Sequence, residues 1–193
     1  MFCFKTNKSY KGTINKSKFI CLAFNIDDSN KVKEILKQLH QDYHDASHIC
    51  YSYILGNNQE EFYYSDDGEP NKTAGFPIYN NMKKHNLSYC MIVIIRYFGG
   101  IKFGVGPLKE AFSNLSEKLI NSNKLIKAEM VSLYKINFPY EQIKKYQNLF
   151  NNSIIKKEFD EEVSFFVYEN KENSLILKQS KANLINKNYL LIG

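Results

Sequence analysis

Residues 88–107 read SYCMIVIIRYFGGIKFGVGP, and the fold turns on how this stretch is understood. Its first half, Ser88 to Tyr97, is an almost unbroken apolar run, the pattern of a strand buried on both faces. Gly99, Gly100, Gly104 and Gly106 then interrupt it, and Pro107 stands as the first residue of a helix expected over 108–120, with Ala111, Leu115 and Leu119 on its buried stripe. A strand that opens into a glycine-rich turn and a helix N-terminus gathers backbone N–H groups, which favour an anion. A dinucleotide fingerprint is excluded because Lys109 occupies the third glycine position, and a Walker A loop because Val105 replaces its lysine. Close strand-to-helix packing would by itself account for two of the four glycines.

Arg96 ends the apolar run and is the only arginine among 26 basic residues. In a chain that uses lysine wherever a point charge suffices, a retained arginine points to a need for its planar fork, which grips carboxylate or phosphate bidentately. Chance survival of one codon is the plainer alternative.

Toward the N-terminus, residues 18–26 read as a strand, and Asp27, Asp28 and Ser29 are N-cap candidates for a helix carrying Val32, Ile35, Leu36 and Leu39 and ending near Tyr43. His48 to Leu55 reads as a strand closed by Gly56-Asn57-Asn58, with Phe62 to Tyr64 as hairpin partner, and a helix over 73–84 takes Pro77 in its first turn. Toward the C-terminus, Asn121 to Asn123 is the candidate boundary, dividing the chain into residues 1–123 and 124–193. Beyond it come a strand (131–138), a helix (140–150), two strands (154–159 and 163–168), a helix (174–182) and a strand (189–192). That βαββαβ order suggests a ferredoxin-like sandwich, and the whole reads as α+β.

With 44% hydrophobic residues in 193, the chain has ample material for cores. No apolar run reaches the length of a membrane span, and no signal-peptide core is present, so a cytoplasmic protein is expected. Cys3, Cys21, Cys50 and Cys90 stand far apart without CxxC and read as reduced, structural thiols. The net charge of +6 is spread over both halves; it allows RNA or ribosome contact, although such lysines more often form a solvated surface.

The turn Ser65-Asp66-Asp67-Gly68-Glu69-Pro70 crowds three carboxylates, which is costly unless something cationic sits nearby. A metal such as Mg²⁺, the Arg96 guanidinium or backbone N–H groups at a helix start can each serve, and a plain acidic turn capping the next helix is an equal reading. His40, His44 and His48 recur every fourth residue, but His48 leaves the helical stripe and no ligand set for zinc is complete. His48 is a candidate for the polar site, whereas His40, His44 and His85 read as surface. No nucleophile elbow or HExxH motif occurs, so no enzyme is demonstrated.

These residues resemble the IMPACT/YigZ family. The matches are Lys16-Ser17-Lys18-Phe19-Ile20, Asp45-Ala46-Ser47-His48, SDDGEPNKTAGFP over 65–77 and IIRYFGGIKFGVGPLKEAF over 94–112. The resemblance implies an N-terminal domain similar to domain 2 of ribosomal protein S5 and a C-terminal domain similar to the last domain of elongation factor G. Both analogies point to RNA or the ribosome. The eukaryotic namesake regulates translation by competing for the activator of a stress kinase, which adds a translation-regulatory protein as a class of partner. Where the family usually has glycine before Thr73, this chain has Lys72.

The expectation is therefore a translation-associated protein that binds RNA, the ribosome or a regulatory protein through Arg96, Tyr97, Gly99, Gly100, Gly104, Gly106, Lys18, Lys102, Lys109 and Thr73. The alternative is a metal-assisted enzyme acting on a phosphorylated or peptide substrate, with Asp66, Asp67, Glu69 and His48 as catalytic candidates. No cofactor is expected, and Mg²⁺ enters only under that alternative. The partner of Arg96 is left open between the acidic turn and an external phosphate.

Overall fold

The apolar run at 88–107 supplies the central strand of a five-stranded antiparallel sheet. The computed structural model describes residues 1–5, 9–180 and 182–192, which divide into two units, Met1–Ala128 with Ile192, and Glu129–Leu191. The first holds β1 (Phe2–Phe4), β2 (Ser9–Ile14), β3 (Ser17–Asn25), α1 (Ser29–Asp42), β4 (His48–Leu55), β5 (Glu61–Ser65), α2 (Gly75–Lys84), β6 (Cys90–Tyr97) and α3 (Val105–Ser122). The sheet runs β2-β3-β6-β4-β5.

Every residue from Cys90 to Ile95 is fully buried. Strand alternation sends Cys90, Ile92 and Ile94 into one core with Phe19, Cys21, Cys50 and Ile54 of the neighbouring strands, Ile78 and Met82 of α2, and Phe112 and Leu115 of α3. Each such side chain contributes roughly 2 kcal/mol by leaving water, which is why this run dominates the fold. Arg96 follows Ile94 by two positions and so points to the same, helix-covered face, between Phe19 on β3 and His48 on β4 in the strand register.

α1 begins as expected, with the Asp28 carboxylate accepting from Lys31 N at 2.9 Å. β2 had no expectation, because SYKGTI alternates exposed and half-buried positions and carries little apolar signal. It joins β3 through a two-residue turn in which Asn15 and Lys16 have φ of 45° and 62°, the doubly left-handed conformation that matches strand twist. α3 starts at Val105, so Pro107 is its third residue and not its first. The first-turn N–H groups have no intrahelical acceptor, so proline costs nothing there.

The second unit takes most of β7 (Leu125–Phe138), then α4 (Ile143–Phe150), β8 (Ile154–Phe159), β9 (Val163–Tyr168), α5 (Ser174–Gln179) and β10 (Asn183–Ile192). Leu125, Ile126 and Lys127, at the start of β7, pair with β1 inside the first unit. β8, β9, β7 and β10 lie in that order, the ferredoxin-like arrangement. Its core gathers Ile136, Phe138, Phe150, Val163, Phe165, Val167 and Leu177. β7 and β10 begin at Leu125 and Asn183, six residues earlier than expected at each strand; the start of β7 is used in pairing with β1, and that of β10 is mostly polar and carries little apolar signal. No helix among the described residues is long and apolar enough to cross a membrane.

Cys3, Cys21, Cys50 and Cys90 are free and buried. Burial pushes the Cys3 thiol up to about 11 and that of Cys21 up to about 12, and it raises Cys50 and Cys90 as well. Only the thiolate is nucleophilic, so at about pH 8 the native protein should take no iodoacetamide at these four positions, whereas urea-unfolded protein takes it at all of them. Peptide mass spectrometry reads the outcome; rapid native labelling of Cys21 or Cys90 would contradict it.

Candidate functional site

The acidic turn is satisfied from within the chain. Asp66 accepts from Ala74 N at 2.9 Å and Gly75 N at 2.8 Å through Oδ1, and from Lys72 N at 2.7 Å through Oδ2. It thereby caps α2 from a distance, placing negative charge where the helix dipole favours it. Asp67 accepts from Ile49 N at 2.5 Å, and His48 Nδ1 donates to the Asp67 carbonyl at 2.7 Å. Thr73 is buried and its hydroxyl donates to Pro70 O at 2.6 Å. Lys72 has a φ of 60°, a left-handed backbone that glycine adopts without strain.

Glu69 meets Arg96. Its Oε1 lies 2.5 Å from Arg96 Nη1, with both side chains about 95% buried (4% and 5% exposed), and His48 Nε2 stands 3.8 Å from the same oxygen. Arg96 Nη2 donates to Ser17 Oγ at 3.3 Å, and that hydroxyl also accepts from Gly99 N at 3.2 Å. The guanidinium is boxed by the rings of Phe103, Phe98 and Phe19, at 4.8, 5.6 and 5.7 Å. Lysine has neither a planar group to lie among these rings nor a fixed fork that aims two nitrogens at the carboxylate and the hydroxyl, so this environment calls for arginine. Arg96 Nε is buried without an acceptor among the described residues.

Of the four loop glycines, two answer to geometry. A Cβ on Gly99 would stand 2.1 Å from the carbonyl carbon and oxygen of Lys16, and Gly100 has a φ of 84°. Gly104 and Gly106, at the start of α3, have room around them.

The solvent side of this framework is a groove of about 380 Å³ lined by Lys16, Lys18, Asp45, Tyr97 and Phe98. A second, of about 480 Å³, is lined by Lys11, Gly12, Thr13, Phe19 and Ile20 and shares Lys18 and Tyr97 with the first. Phe98 is 47% exposed, and the Tyr97 hydroxyl donates to Asp45 at 3.0 Å. Lys18 and Tyr97 are thus brought together, as register partners on β3 and β6. Arg96, Glu69 and Thr73 are buried in the framework and Asp66 is half-buried, whereas Asp67, Lys102 and Lys109 are exposed but line neither groove. Lys11, Lys16 and Phe98 had no assigned role; the two-residue turn before Ser17, had it been recognised, places Lys16 beside the strand. Among the described residues no group of three His, Cys, Asp or Glu side chains is placed to hold a metal ion. His40 and His44 are exposed, and His85 Nε2 lies 3.0 Å from Glu117.

Residues 15–120, which contain the acidic turn, Arg96 and the first groove, match the model of the Impact N-terminal domain. The chain belongs to the IMPACT family. It is 30% identical over 177 residues to the IMPACT family member YvyE of Bacillus subtilis (strain 168), spanning 90% of this chain and 82% of that one. Against the IMPACT family member YigZ of Escherichia coli (strain K12) the identity is 26% over 132 residues, covering 67% of this chain and 65% of that one. A crystal structure described as that of a hypothetical protein superposes over 95% of each chain with a TM-score of 0.68 at 21% identity, so the IMPACT-family chain shares its fold across both units.

Proposed function

We propose that this chain is a translation-associated protein that binds RNA, on the ribosome or free of it, through the Lys16, Lys18, Tyr97 and Phe98 groove. The observation that carries the reading is the pairing of two lysines with two aromatic side chains in one open groove. Lysines meet phosphates while aromatic faces stack on unpaired bases, which suits single-stranded RNA better than a duplex. The family resemblance, which implies domains similar to those of a ribosomal protein and an elongation factor, supports the same direction, and the cytoplasm is the compartment it implies. Arg96 and Glu69 serve this surface from behind: neutralising each other, they hold the β6 end and the glycine turn in place.

Fluorescence anisotropy with a labelled single-stranded RNA of about 20 nucleotides tests it. The logarithm of the affinity should fall linearly with the logarithm of the salt concentration, and Lys16→Met and Lys18→Met should each flatten the slope by about 0.7. Phe98→Ala should weaken binding about tenfold, one stacked base being worth roughly 1–3 kcal/mol. Binding without a salt slope, or no binding of the RNA at low salt, overturns the reading.

A further inference from the structure

Asp45 is the one carboxylate among the residues that line the Lys16, Lys18, Tyr97 and Phe98 groove. Beside phosphates a negative charge works against binding, so its place there calls for a hydrogen-bond donor on the ligand. The chain itself does not use the carboxylate up. Asp45 is exposed, its Oδ1 accepts from the Tyr97 hydroxyl at 3.0 Å, and no second bond or ion pair engages it among the described residues. Oδ1 therefore keeps one lone pair and Oδ2 both. The position of Asp45 is fixed against the aromatic residues. Ser47 N donates to Arg96 O at 2.9 Å, Ser47 Oγ accepts from Phe98 N at 3.0 Å, and Ala46 N donates to Tyr43 O at 3.0 Å, so the turn that carries Asp45 is tied to the end of β6 that carries Tyr97 and Phe98. A half-exposed ring and a carboxylate held on one piece of framework can read an unpaired base, the ring taking its face and the carboxylate its edge.

We infer that Asp45 makes the groove selective for guanine, which stacks on Phe98 and gives its N1–H and one N2–H to the two carboxylate oxygens. The inference rests on the RNA reading above and names the base that the groove takes. Of the four RNA bases, only guanine carries two adjacent donors on its Watson–Crick edge. They lie side by side and match the two oxygens of a carboxylate, as the paired N–H groups of a guanidinium do. Adenine sets one amino group beside the N1 lone pair, cytosine sets one beside N3, and uracil flanks a single N3–H with two carbonyls. Each of these turns an acceptor toward the negative charge, and an acceptor facing a carboxylate leaves both without a proton to share. The Tyr97 hydroxyl fixes the direction of the Asp45 carboxylate and leaves Oδ2 to the base, while Lys16 and Lys18 remain for the phosphates.

Fluorescence anisotropy at low salt, with the labelled RNA heptamer UUUGUUU and its counterparts carrying A, C, U or inosine at the centre, tests the inference. The wild-type chain should bind the guanine heptamer about tenfold or more tightly than those with A, C or U, the scale of one bidentate contact to a base edge. Inosine, which keeps N1–H and lacks the N2 amino group, should fall between them. Asp45→Asn should cancel the preference for guanine and at the same time tighten binding of the all-uridine heptamer, because a negative charge leaves the path of the phosphates. A purely structural role for Asp45 would instead weaken every RNA alike. Equal binding of the four bases by the wild-type chain, a preference for another base, or an Asp45→Asn variant that still prefers guanine overturns this inference and leaves the RNA reading standing. Failure of every heptamer and of the longer RNA to bind at low salt overturns both.

Discussion

Glu69→Gln is expected to destabilise the protein by about 3–5 kcal/mol, a large share of the stability of an ordinary domain. The substitution keeps the shape of the side chain and removes its charge, so Arg96, 4% exposed and boxed by Phe19, Phe98 and Phe103, becomes a buried cation without a counter-ion. Replacing both partners should restore most of the loss: in Glu69→Gln with Arg96→Met, a flexible apolar side chain fills the aromatic box and no charge is left to desolvate. Arg96→Lys alone should also destabilise the protein, because an ammonium has neither the planar group that lies among the three rings nor a fixed fork that aims separate nitrogens at Glu69 and Ser17. Urea denaturation of the variants, read as a double-mutant cycle, checks the set. A Glu69→Gln variant within about 1 kcal/mol of wild type would mean that water reaches the pair.

Gly99→Ala is the second large effect, about 3 kcal/mol, because the new methyl would meet main chain at Lys16 and Ser17, which cannot yield as the tip of a side chain can. Gly100→Ala has space but a positive φ, and should cost about 1 kcal/mol. Gly106→Ala, in the first turn of α3 with open space around it, should be neutral or stabilising by about 0.5–1 kcal/mol. Thermal unfolding of the three variants gives the order, and equal losses at all three positions would refute the geometric account. Gly99→Ala should also weaken RNA binding, since relieving the clash displaces Lys16.

The residues that decided the fold were legible where burial imposes a period. The apolar run of β6, the stripe of α3 and the βαββαβ order of the second unit follow from alternation and helical spacing. Charge crowding marked Asp66, Asp67 and Glu69, and its standing as the only arginine marked Arg96. Their partners were legible as classes, a guanidinium and the N–H groups of a helix start, but not which served which carboxylate, because Ala74 N, Gly75 N and Ile49 N are main-chain donors common to any sequence. Direction was lost for the same reason: nothing in the chemistry of arginine tells an internal carboxylate from an external phosphate until burial is known. The groove was half visible, since Lys18 and Tyr97 lie in recognisable strands, whereas Lys16 and Phe98 meet through a hairpin turn and a strand register that residue order does not display.

Ser17 presents one oxygen to two donors, the guanidinium of Arg96 and the amide of Gly99. The hairpin, the ion pair and the glycine turn are therefore coupled in a single opening unit, and none of them can fray alone without leaving a buried polar group bare. The groove wall is ordered before any ligand arrives, so the entropy of fixing it is spent during folding and not at encounter.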